Sequence, residues 1–115
     1  GRSGKNGMPF IEEAMDILGP TADLLDTRAM VSMANGDYDR AISDLNLAIS
    51  DGPNASKFFH LAQAYMARGE KTSALDAYLR AKKHGISLDS ISRLERPAYE
   101  RLLKELGVDK TTTAK

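Results

Sequence analysis

The side chains able to do acid–base, nucleophilic or metal chemistry are few in this chain of 115 residues, and their spacing does not assemble a site. Cysteine is absent, which removes a thiol nucleophile, a thiolate zinc site and any disulfide framework. Of the two histidines, His60 falls inside a helical pattern. His84 follows Lys82 and Lys83 at the end of another. A helix C-terminus favours a cation, so His84 reads as a terminal residue rather than a base. Glu12 and Glu13 are adjacent carboxylates, but neighbours in sequence do not share a helix face, and the pair reads as solvated. No phosphate-binding loop, dinucleotide fingerprint, paired-histidine zinc motif or calcium loop occurs. No serine sits in a nucleophile elbow. The expectation is a chain that is not an enzyme, with no catalytic residue, metal or cofactor.

Charge narrows the function further. Sixteen basic and sixteen acidic residues cancel, and the pI is near 6.9. A protein that coats nucleic acid needs a basic excess, so nucleic acid is not an expected partner. The charges are segregated. Residues 8 to 55 hold nine acidic and two basic side chains, whereas residues 56 to 115 hold seven acidic and twelve basic. That separation steers association more than it stabilises a complex. The basic part lacks interleaved aromatics, which leaves RNA or a membrane surface as a weak alternative. No apolar run is long enough to span a membrane.

The elements follow from composition and period. Fifteen alanines and thirteen leucines stand against two valines and seven aromatics, which favours helix over sheet. Shifted by 33 positions, the chain overlays itself: Ala29 on Ala62, Met33 on Met66, Ala34 on Ala67, Gly36 on Gly69, Ala41 on Ala74 and Ala48 on Ala81. Leu25 pairs with Phe58, Asp37 with Glu70, Ile42 with Leu75 and Leu45 with Tyr78. Each unit reads as two helices at apolar spacing, split at Gly36 or Gly69 and ended near Gly52-Pro53 or Gly85. A turn of about three residues makes paired helices antiparallel neighbours. Small residues at Ala29, Ala41, Ala62 and Ala74 let helix axes approach, while Leu25, Leu45, Phe58 and Tyr78 fill the space beside them.

Phe58-x2-Leu61-Ala62-x2-Tyr65, then Gly69, Ala74, Tyr78 and Ala81, resembles the tetratricopeptide repeat. The first unit keeps Leu25, Ala29, Gly36-Asp37-Tyr38, Ala41, Leu45, Ala48 and Pro53, and departs at Arg28 and Ser32. The resemblance implies an all-α fold, an α-solenoid of antiparallel helical hairpins. It has an extra N-terminal helix and a C-terminal capping helix. It also implies a protein-interaction module, a scaffold or adaptor that binds a peptide or helix of a partner on its concave side. Matching positions place Asp23, Asp26, Met30 and Met33 of the first unit, and Ser56, Phe59, Gln63 and Met66 of the second, in that groove. The alternative for Phe59 is packing against the terminal helix. Relatives that clamp acidic chaperone tails use Lys, Asn and Arg where Asp26, Met30, Phe59 and Gln63 stand here. No carboxylate clamp is therefore implied, and the groove suits an apolar or basic segment.

The expected organisation is a flexible tail or tag remnant at 1–7 and a helical domain at 8–107. Within it, 8–20 is part of a preceding repeat, 21–53 and 54–86 are the two repeats, and 87–107 is a capping helix. A frayed tail follows at 108–115. In the capping helix Leu94, Ala98, Tyr99, Leu102, Leu103 and Leu106 form the apolar face, with Pro97 in the first turn. The chain does not begin with Met, which suggests a fragment of a longer protein. Residues 1–7 have no apolar centre and are not a signal peptide, so a cytoplasmic location is the best guess. Two other functions remain open. The N-terminal edge could pair with a second copy, or the domain could be the helical regulatory appendage of a larger enzyme.

Overall fold

The fold is described from a computed structural model that covers residues 8–108. Those residues form six α-helices and one 3-10 turn, with no strand among them. The helices are α1 (Met8–Leu18), α2 (Ala22–Ala34), α3 (Tyr38–Asp51), α4 (Ala55–Ala67), α5 (Lys71–Lys83) and α6 (Arg96–Leu106). The expected tail at 1–7, and the part of the expected C-terminal tail at 109–115, lie outside the described residues. The chain divides into two compact units between Pro53 and Asn54.

In the first unit α2 packs along α3, and α1 packs on α2. Thr21 starts α2 by accepting a hydrogen bond from the Leu24 N–H (3.2 Å), and Asp37 starts α3 by accepting one from the Arg40 N–H (3.3 Å). Between them the chain turns at Gly36, whose φ of 83° is a left-handed conformation that a Cβ disfavours. The Gly36 N–H donates to the Met33 carbonyl (3.0 Å) and the Asp37 N–H to the Ser32 carbonyl (2.8 Å), satisfying the last carbonyls of α2. Ala29, Ala41, Leu45 and Ala48 are fully buried.

The second unit repeats this local chemistry. Helix α4 spans the same 13 positions as α2, displaced by 33. Asn54 caps it through the Lys57 N–H (2.9 Å) where Thr21 caps α2. Gly69 (φ 81°) closes it through bonds from Gly69 to Met66 (2.9 Å) and from Glu70 to Tyr65 (2.9 Å). Glu70 takes the place of Asp37 but makes no side-chain cap, its carboxylate being one methylene farther out. Ala62, Ala74 and Ala81 are fully buried. Helix α4 packs along α5, and α6 packs on both.

The region after α5 differs from the single expected helix over 87–107. Ser87 and Ser90 bond each other's backbone N–H groups (2.8 and 3.2 Å), which holds a turn. A 3-10 turn over Arg93–Glu95 follows, and α6 begins at Arg96 with Pro97 in its first turn. Leu94 therefore lies off the helix and is 92% exposed, not on the apolar face. Tyr99, Leu102, Leu103 and Leu106 are buried as expected. Val108, assigned by sequence to the tail, belongs to the cap of α6, its N–H bonding the Leu103 carbonyl (3.0 Å).

One polar contact sets the first unit apart. Arg28 on α2 forms a two-pronged ion pair with Asp44 on α3, Nε to Oδ2 at 2.8 Å and Nη2 to Oδ1 at 2.9 Å. Asp44 is buried. The positions 33 residues on are Leu61 and Ala77, both buried and apolar. The same junction is thus solved by a charged fork in one unit and by hydrocarbon in the other. The Ser32 hydroxyl, fully buried, has no hydrogen-bond partner. The counterpart of Ser32 is Tyr65.

Two outcomes follow from this packing. Ala41→Leu and Ala74→Leu overfill sealed positions, and each is expected to lower unfolding stability by about 1–3 kcal/mol in urea melts, against no effect for the exposed Ala67→Leu. Arg28→Ala strands the Asp44 carboxylate and is expected to cost about 3–5 kcal/mol, whereas Arg28→Leu with Asp44→Ala, copying the second unit, is expected to be neutral or stabilising. A double variant as unstable as the single one defeats the equivalence of the two junctions.

Candidate interaction surface

Among the residues named from sequence, four lie on α2. Asp23, Asp26, Met30 and Met33 recur at helical spacing along the flank beside the buried stripe of Leu25, Ala29 and Ser32. Asp23 is exposed, and Asp26, Met30 and Met33 are half-buried. The flank thus combines carboxylates with two polarisable thioethers, a surface that can adapt to apolar shapes and favours cations. Asp23, in the first turn, also complements the helix N-terminus.

The matching residues on α4 are treated differently by the fold. Ser56 is exposed, and Gln63 and Met66 are half-buried. The Gln63 Oε1 atom is itself buried and has no hydrogen-bond partner. Phe59 is only 1% exposed. Its ring meets Tyr99 of α6 edge-on, with centroids 5.6 Å apart and planes at 75°. Of the two roles sequence left open for Phe59, packing under the terminal helix is the one the structure adopts. The reason is that α6 needs an aromatic seat, and Phe58 is turned elsewhere, stacked on His84 at 5.2 Å. Phe59 is not available to a ligand.

The same end of the second unit accounts for the histidine that sequence left inside a helix. His60 Nε2 lies 2.7 Å from Glu95 Oε2, tying α4 to the 3-10 turn just before α6. This contact was not foreseen, since 35 positions separate the pair. The usable signal was the composition of α4. From Lys57 to Leu61 every residue is buried, as in a helix covered on several sides. In the first unit Glu12 pairs with Arg40 (2.6 Å), so one of the two adjacent glutamates, expected to be merely solvated, holds α1 to α3.

Tyr99 and Tyr78 complete the seat of α6, their hydroxyls hydrogen-bonded to each other. Burial, then the neighbouring Tyr78 charge and that bond, push the Tyr99 phenol up to about 12. Burial also raises Tyr78, with the bond to Tyr99 opposing it. Among the described residues no group of three or more metal-binding side chains comes together, and no helix is long and apolar enough to cross a membrane. No family model, curated protein or solved structure matches this chain.

Alkaline pH tests the α6 seat. An unfolded tyrosine ionises near pH 10, whereas folded Tyr99 keeps its proton to about 12. The folded state therefore binds more protons in that window. The stability is full below about pH 10 and is lost as pH rises toward 12. Denaturation midpoints measured across that range are expected to fall for the wild type and to fall less steeply for Tyr99→Phe.

Proposed function

We propose that this chain is a non-enzymatic protein-interaction module of the tetratricopeptide kind. In this reading α2–α3 and α4–α5 are antiparallel hairpins of a solenoid, α1 is part of a preceding repeat, and α6 is the cap. The observation that carries it is the recurrence at 33 positions of helix bounds, N-caps, glycine stops and buried alanines. Repeats of that period with helix pairs as the unit are built for laying out ligand-binding faces.

The face assigned to a partner is the flank of α2 with Asp23, Asp26, Met30 and Met33. Ser56, Gln63 and Met66 are its repeats on α4. Phe59 is excluded by its burial. An apolar segment carrying Lys or Arg matches the thioethers and carboxylates, and the clustering of acidic residues before Asn54 draws such a segment in. The segment is extended or helical, and its length is set by the α2 flank.

Selection of a random displayed-peptide library on the whole chain is the direct test. Enriched peptides are expected to carry basic and apolar residues, and Asp23→Lys with Met30→Ala is expected to weaken them about tenfold or more at a temperature where circular dichroism shows the variant still folded. Phe59→Ala is expected instead to destabilise by about 3–5 kcal/mol, the effect of emptying a core aromatic site. Enrichment of acidic peptides, or full binding by the Asp23/Met30 variant, rejects the assignment.

A further inference from the structure

Helix α1 has two apolar faces and only one is used. Ile11 is buried, while Phe10 is 80% and Ile17 74% exposed, with Leu18 also exposed. Phe10 and Ile17 are seven positions apart and lie on one side of the helix. Glu13 lies between them and Asp16 beside them, and neither carboxylate has a partner among the described residues. The second unit carries the complementary pattern. Leu94 stands out from the 3-10 turn, 92% exposed, with Arg93, Arg96 and Pro97 also exposed and the adjacent Glu95 held by His60. Neither guanidinium has a carboxylate partner among the described residues.

We infer that the occupant of the α1 face is a second copy of this chain, presenting its Leu94 turn. Leu94 seats between Phe10 and Ile17, and Arg93 and Arg96 meet Glu13 and Asp16. The complementarity extends to the whole units, acidic before Asn54 and basic after it. The two patches are different surfaces, so each copy offers one of each, and the α1 face of one copy takes the Leu94 turn of another. Built from few side chains, the contact is weak and salt-sensitive. It goes beyond the peptide-binding reading and does not use the α2 flank.

Sedimentation of the full chain at low salt, from about 10 μM to about 1 mM, tests it. The weight-average mass is expected to rise above that of the monomer with concentration, and to return to the monomer in about 0.5 M NaCl, where screening confines charge attraction to a few ångströms. Ile17→Lys and Leu94→Glu each change an exposed residue and keep the fold, which circular dichroism verifies. Each variant alone is expected to be monomeric, and their equimolar mixture to form a dimer, because each retains the patch the other lacks. Two results overturn the inference: a wild type that stays monomeric, which leaves the α1 face to a different protein, or a mixture no more associated than its components.

Discussion

The constraint on which each unit depends is the close approach of two helices across alanine. Ala29 and Ala41 in the first unit, and Ala62 and Ala74 in the second, have no exposed surface. A methyl group is the largest side chain that lets two backbones come near the lower end of the usual interaxial range. Once the axes are close, Leu25, Leu45, Phe58 and Tyr78 lie beside the contact and seal it. The turn chemistry serves the same end. A left-handed glycine at Gly36 or Gly69, followed by an acidic residue, reverses the chain in three residues and leaves the paired helices no room to drift apart.

The two units reach that arrangement with unequal chemistry. The second buries mainly hydrocarbon and aromatic rings beside Lys57 and His60, the latter tied to Glu95, and its α4 has neighbours on several sides. The first accepts a buried ion pair and an unpaired serine hydroxyl. A charged fork is satisfied only at one geometry, so Arg28 and Asp44 fix how α2 sits on α3, whereas the matching Leu61 and Ala77 carry no such directional bond.

Local chemistry was legible in the sequence and distant pairing was not. Helix α1 ends at Leu18, just before Gly19-Pro20, and Thr21, Asp37 and Asn54 occupy the N-cap positions that their residue types favour. These signals act within four residues. Arg28 stood out as a misfit in an apolar position, but nothing nearby named Asp44 as the reason. Phe59 was placed one step off the core stripe, which is correct for a helix with one covered side. What hid its burial was the second cover, α6, whose Tyr99 lies 40 positions further along the chain. Leu94 failed for the opposite reason. It matched the amphipathic period of α6, but Pro97 fits only the first turn of a helix, and that puts Leu94 outside.

The seat of α6 has a practical side. The chain contains no tryptophan, so its near-ultraviolet signal comes from four tyrosines. Two of them, Tyr78 and Tyr99, touch hydroxyl to hydroxyl in the interior, while Tyr38 and Tyr65 are partly wet. Any event that lifts the last helix away transfers both interior phenols to water together. The protein thus carries its own optical gauge of whether that helix is docked, with no label attached.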